Sequence, residues 1–262
     1  SKGHAFIGIE NFGDRLTPHT IRALIRTLRN QADERDDLTI VLTTHSPIVM
    51  DEFKGCEDQF FVMQEAIKEY EVGGFEQDQI DYEAELWFDG YCEECLNSIK
   101  VDNVNKSASL DWIIALNPDL IVVYGTGRIG EDLIKRFKGR IVNLHGGDAE
   151  KYRGLDSHLW AVYHNDFNSF YVTLHHVNEK FDDGNVIRAH NIMLGREMEL
   201  YQLRAETTKV CIDIISRFLQ LENMPEGTPQ SLLRWRYYSK MPEELIEDCK
   251  RKFDDYILKT FK

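Results

Sequence analysis

The chain has 262 residues, of which 42% are hydrophobic and 29% charged, the proportions of a soluble globular protein of one large domain or two modest ones. A formal net charge of −14 repels a polyanion such as tRNA or DNA unless a basic patch is segregated from it. No apolar run approaches the roughly 18 residues of a membrane span, and no secretory signal pattern opens the chain, so a cytoplasmic protein with no nucleic-acid or membrane partner is expected.

Residues 5–10 read as a short buried strand. Residues 18–35 read as a helix: Thr17 can cap it, Pro18 fits its first turn, and Ile21, Leu24, Ile25 and Leu28 share one face. Residues 38–43 and 59–63 read as further strands. This alternation predicts an α/β protein with a mostly parallel sheet. Residues 65–95 are acidic and aromatic-rich and read as a loop followed by a helix over 82–96. A helix over 107–116 is ended by Pro118, and residues 120–123 form a strongly apolar strand broken by Gly125-Thr126-Gly127. A helix over 130–137 and a strand over 140–143 follow. Residues 170–175 and 185–192 read as paired strands. Amphipathic helices over 197–221 and 242–261 close the chain and offer surface for a homodimer, although packing within one chain explains them equally well.

Five cysteines (Cys56, Cys92, Cys95, Cys211, Cys249) are an odd number, thinly spread, and fit reduced thiols. Cys92-x-x-Cys95 lacks a second pair, so no metal site is expected. Gly125-Thr126-Gly127 lacks the third glycine and the spaced acidic residue of a dinucleotide fingerprint.

Three stretches carry chemistry. The first is Asn143-Leu144-His145-Gly146-Gly147. The second runs from Tyr152-Arg153-Gly154 through Trp160-Ala161. The third is Thr173-Leu174-His175-His176-Val177, followed by Asp182-Asp183-Gly184-Asn185-Val186-Ile187. Each alone reads equally as a polar strand end, a loop or a hairpin turn.

In this order and spacing they resemble the N10-formyltetrahydrofolate-dependent formyltransferases, whose pattern is N-x-H, then YRG with W-A, then T-x-H-x-V followed by D-x-G. The resemblance covers roughly residues 97–242 and includes Tyr237-Tyr238-Ser239 and Met241-Pro242. It implies a Rossmann-like formyltransferase fold, with Asn143, His145 and Asp182 as catalytic residues and N10-formyltetrahydrofolate as formyl donor. Asp182 is preferred to its neighbour Asp183 because it lies where the family places its aspartate, with Gly184 two positions on. In those roles Asn143 donates to the oxyanion of a tetrahedral intermediate, His145 accepts a proton from the attacking amine or hydrogen-bonds the intermediate, and Asp182 orients the imidazole or a relaying water and helps protonate the departing folate nitrogen. Tyr124, Gly125, Thr126, Gly127, Arg128 and Ile129, with Lys180 and Phe181 before Asp182, would line the pterin pocket. Gly146, Gly147, Tyr152, Arg153 and Gly154 would face the amine substrate, with Arg153 or Arg128 available for a phosphate. The family often has Pro-Ser where this chain has Gly146-Gly147, so the acceptor pocket differs from the family's pattern there.

The acceptor classes open to such an enzyme are an initiator aminoacyl-tRNA, a purine-pathway ribonucleotide and a nucleotide-linked amino sugar. The acidic charge, the helices after Asp182, the Tyr152-Arg153-Gly154 stretch and the closing Tyr-Tyr-Ser-x-Met-Pro favour the amino sugar. The other readings are a formyltetrahydrofolate hydrolase and a nucleotide-binding module with a degenerate transferase.

Residues 1–63 stand apart from residues 64–262. Phe6-Ile7-Gly8-Ile9-Glu10, Leu16-Thr17-Pro18 and Val41-Leu42-Thr43-Thr44-His45-Ser46-Pro47 resemble the second half of an ABC-type ATPase domain. No phosphate loop of the G-x4-G-K-[ST] type accompanies them. Three readings stand: a truncated ATPase piece fused in front, a chain that is the tail of a longer protein, or a strand-helix-strand that completes the transferase sheet.

Overall fold

The computed structural model describes residues 3–9, 38–43, 60–64, 74–87, 98–100 and 103–262, apart from Thr126, Lys180, Phe181, Glu222 and residues 232–235. The helix expected over 18–35, the ATPase-like residues outside the strands, and Cys56, Cys92 and Cys95 lie outside the described residues.

Eight strands form one mixed sheet: β1 (Gly3–Ile9), β2 (Leu38–Thr43), β3 (Phe60–Gln64), β4 (Ser98–Lys100), β5 (Leu120–Tyr124), β6 (Ile141–His145), β8 (Tyr171–His176) and β9 (Val186–Asn191). Their order is β4-β3-β2-β1-β5-β6-β8-β9. The first six pair in parallel, β8 runs antiparallel to β6, and β9 runs antiparallel to β8. The chain winds outward from β1 to β4, then returns to place β5 against the other edge of β1. In an open α/β sheet such a reversal opens a crevice at the carboxyl ends of the strands. The loop after β5 and the end of β6 both reach this edge.

Helices cover both faces. On one side lie α2 (Ser107–Leu116) and α3 (Glu131–Arg136), with Ile113 and Leu133 packed against Ile121, Val123 and Ile141. Helix α2 stops where Asn117 takes a left-handed conformation and its N–H closes on Ile113 and Ile114, just before Pro118. On the other side, α5 (Leu203–Phe218) buries Leu203, Cys211, Ile214, Ile215 and Phe218 against Val122, Val142, Leu144, Val172 and Leu174. Beyond α4 (Ser157–Tyr163) packs α6 (Ile246–Thr260), whose buried stripe is Ile246, Cys249, Phe253 and Ile257. Burying each such large side chain contributes roughly 1.5–3 kcal/mol.

Three elements differ from the sequence reading. The helix expected over 82–96 starts earlier, as α1, Gly74–Trp87, and residues 88–96 lie outside the described residues. Among its described side chains the buried ones are Gln79 and Glu83, which hides it from hydrophobic periodicity. Glu83 meets Arg204 of α5 in a bidentate ion pair with Nε to Oε1 at 2.8 Å. The long helix expected over 197–221 begins as a 3-10 turn, Leu200–Gln202, because Glu199 and Gln202 form a reciprocal capping box there. Finally, a two-stranded ribbon pairs β7 (Arg153–Gly154) in parallel with β10 (Tyr237–Tyr238), joining the YRG stretch to the closing Tyr-Tyr.

Candidate active site

Strand side chains alternate between faces, so Asn143 and His145 of β6 project to the same side. The antiparallel register sets Asn143 opposite His175 and His145 opposite Thr173, which adds two polar residues from β8 to that face. His145, Thr173 and His175 are all buried.

Asp182 arrives from the β8–β9 loop. It is a non-glycine residue at φ +47, the left-handed region that aspartate tolerates better than most side chains. Its Oδ1 accepts from Asn143 Nδ2 at 3.2 Å and lies 3.4 Å from His175 Nε2 and 3.7 Å from His145 Nδ1. Its Oδ2 accepts the backbone N–H of Gly154 at 2.9 Å. Burial on its own pushes this carboxyl up. The two imidazoles and the Gly154 N–H outweigh that and hold it well below the usual carboxylate range.

The hydrogen-bond partners fix the proton positions. His145 Nε2 is 2.7 Å from the carbonyl of Tyr152, which can only accept. Nε2 therefore carries a proton, which leaves Nδ1 as the ring nitrogen that faces Asp182. His175 Nδ1 donates in the same way to the carbonyl of His176 at 2.8 Å. Asn143 Nδ2 lies 3.1 Å from His175 Nε2 as well as near Asp182, and a carboxylate only accepts, so the amide nitrogen must be the atom turned toward both.

Two glycines make this packing feasible. A Cβ on Gly154, which sits at φ +92, would lie 2.3 Å from the Tyr238 carbonyl and break the ribbon that presents its N–H to Asp182. A Cβ on Gly147 would lie 2.4 Å from Ser157 Cβ and 2.8 Å from His145 Nε2. The close approach that Gly147 permits is thus to the protein itself: it lets Ser157, at the start of α4, close over the imidazole. Thr173 Oγ1 holds the turn by donating to the Gly147 carbonyl at 2.8 Å.

The remaining sequence-selected residues fall into two sets. Tyr152 and Arg153 adjoin the site, Tyr152 through its carbonyl and Arg153 as a half-buried member of β7. Gly146 sits half-buried on the opposite side, against Thr207 of α5. Tyr124 turns its phenol away from the crevice: the ring is buried beside Cys211 and Thr208, and burial raises its pKa well above the ordinary value. Only its backbone reaches the strand end. After it, Gly125 is exposed at φ +64, Gly127 is half-buried and Ile129 is sealed into the core beneath the loop. Arg128 is exposed, and the Asn105 side chain pins its carbonyl and the N–H of Gly130. Thr126, Lys180 and Phe181 lie outside the described residues. Among the described residues no cluster of metal-ligating side chains occurs.

In the sequence, His175 stood out only as part of the T-x-H stretch, with no role in the site assigned to it. Its place opposite Asn143 depends on the β6–β8 register, which no local pattern encodes. The T-x-H spacing was the available signal, since it puts Thr173 and His175 on one face.

A family model described as "Formyl transferase" matches residues 62–217. The methionyl-tRNA formyltransferase of Finegoldia magna is 30% identical over 125 residues, 47% of this chain and 40% of that one. The chain spans half or less of the length of the curated relatives it matches. Among solved structures, a 4-N formyltransferase from Francisella tularensis superimposes with a TM-score of 0.56 at 12% identity, covering 94% of this chain and 87% of that one. The N-formyltransferase from Helicobacter canadensis, solved in complex with folinic acid and dTDP-3-aminofucose, gives 0.54 at 15% identity, covering 92% and 71%. At these identities the likeness is one of fold.

Proposed function

The chain belongs to the formyl transferase family, and from that premise we propose that it moves a formyl group from N10-formyltetrahydrofolate to the primary amine of a nucleotide-linked amino sugar. The observation that carries this reading is the convergence of Asn143 and His145 on Asp182 at the carboxyl edge of the sheet, Asn143 within hydrogen-bonding distance of its carboxylate and His145 within ion-pairing distance.

In this proposal His145 Nδ1 accepts the proton released when the amine attacks. The imidazolium so formed carries Nδ1–H toward Asp182 Oδ1, whose depressed pKa keeps it anionic and able to stabilise that charge. The proton can then return from Nδ1 to the departing nitrogen. Asn143 exchanges its 3.2 Å contact to Asp182 for the developing oxyanion and keeps its contact to His175. One such donor is typically worth about 10²–10³ in rate. The formyl donor would supply an activated one-carbon unit and a heteroaromatic ring with alternating donors and acceptors. The described backbone of Gly125 and of Gly127–Ile129, where Asn105 holds the Arg128 carbonyl, offers amides and carbonyls to such a ring.

The sugar is favoured over the other amines by the charge of −14, by the Arg153–Tyr237 ribbon beside Asp182, and by a fold shared with an enzyme solved with a nucleotide sugar. We assign catalysis to residues 64–262 and assign to residues 1–63 the role of completing the sheet. The parallel pairing of β1 with both β2 and β5 supports that division over an independent ATPase piece.

Calorimetry with a non-transferable formyl-folate analogue, together with transfer assays on a panel of amino-sugar nucleotides, tests the reading. Saturable folate binding and formylation that is lost in His145→Ala are expected. A well-folded protein that does not bind the analogue overturns the proposal, and formate release without any amine acceptor points to the hydrolase.

A further inference from the structure

The stretch from Pro225 to Gln230, beyond the segment matched by the family model, is stitched along the loop that delivers Asp182. Val186 and Thr228 exchange both backbone hydrogen bonds, at 2.8 and 2.7 Å. Asn185 Nδ2 donates to the Glu226 carbonyl, and His176 Nε2 to that of Pro225. At its end, Gln230 Nε2 donates to the carbonyl of Asp182 at 2.8 Å and to the carbonyl of Gly184 at 2.9 Å. Both amide hydrogens of one side chain are therefore spent on the loop, bracketing the residue between them.

That geometry bears on the left-handed conformation at Asp182. A non-glycine residue at φ +47 is disfavoured by crowding of its Cβ and persists only where its surroundings impose it. The carboxylate contacts act on the far end of the side chain. Gln230 acts on the backbone, fixing the carbonyls at positions i and i+2 and so the direction in which the Cα–Cβ bond leaves the turn. The charged and polar groups around the carboxylate come from three other elements: Asn143 and His145 from β6, His175 from β8, and the Gly154 N–H from β7.

We infer that Gln230 is a positioning residue of the active site, which aims the Asp182 carboxylate by clamping the two carbonyls that flank its turn. The inference rests on the proposed role of Asp182 in formyl transfer, and it assigns part of that machinery to a segment that lies between the Asp182 motif and the closing Tyr237-Tyr238.

Gln230→Met keeps the volume and removes both donors. Activity per folded molecule should fall about 30-fold in kcat, with KM for the amine acceptor held within about threefold, because Gln230 itself meets only backbone carbonyls of the loop. The acid limb of the kcat–pH profile should move to higher pH. A folded variant with kcat within about twofold of wild type overturns the inference. A second measurement is independent of turnover: the Asp182 carboxyl carbon, followed by NMR, should titrate at higher pH in Gln230→Met than in wild type. An unchanged titration also overturns the clamp. If wild type transfers no formyl group, the proposed function falls, while the carboxyl titration still decides the clamp. Should Gln230→Met not fold, Gln230→Asn, one methylene too short to bridge both carbonyls, carries the same two measurements.

Discussion

On one face of β6 and β8 stand Val142, Leu144, Val172 and Leu174, none more than 1% exposed, packed on α5. On the other face of the same two strands stand the half-buried Asn143 and the buried His145, Thr173 and His175, joined by directional contacts to Asp182, Tyr152 and Gly147. The two faces differ in what burial achieves. Apolar burial tolerates exchange of shape for shape and contributes to stability in proportion to area. Polar burial demands that each donor find its acceptor, and here it fixes which nitrogen of each imidazole carries a proton. Damage to the first face should lower stability and spare chemistry, and damage to the second should do the reverse.

The sharpest test of that contrast is His145→Ala, which removes the proposed proton acceptor. Formyl transfer should fall by about 10³-fold with a melting temperature near that of wild type. A variant that keeps its rate would collapse the distinction. Next comes a buried polar contact far from any motif. Glu83→Gln leaves Arg204 buried without its counter-charge and should cost about 3–5 kcal/mol of stability in denaturant titration, with turnover per folded molecule unchanged. Loss of turnover at preserved stability would show that polar burial on the α5 side also serves the site. Leu174→Ala carries the test to the apolar face and should cost about 3 kcal/mol, again without changing turnover of the folded fraction.

The smallest effect is a pH dependence. The folded pKa of Asp182 is depressed, so its stabilising contribution is fully present above the unfolded value of about 4 and is lost as pH falls toward the folded value. Wild type should therefore hold a constant stability advantage over Asp182→Asn between about pH 5 and 7, and that advantage should shrink below about pH 4. Urea titrations at pH 6 and pH 3 measure it. An equal gap at both would mean that the imidazoles and the Gly154 N–H do not favour the charged carboxylate.

Much of this molecule was legible in its sequence, because the signals there are local. The helix Ser107–Leu116 follows from its apolar positions and Pro118, the strands Leu120–Tyr124 and Ile141–His145 from short apolar runs, and the shared face of Asn143 and His145 from the two-residue period of a strand. The order of N-x-H, YRG and T-x-H with Asp182 pointed to a formyltransferase, and residues 62–217 match that family. Tertiary structure decided what depends on partners distant in sequence. Helix α1 buries Gln79 and Glu83 because Arg204 waits on α5, 121 residues away, so an acidic stretch packs like a core helix. His175 enters the site only through its register opposite Asn143, and Gln230 only through carbonyls 46 and 48 residues earlier. Hydrophobic periodicity records which residues leave water. It does not record which donor will meet which acceptor, because that is set by the relative placement of whole elements once the core has closed.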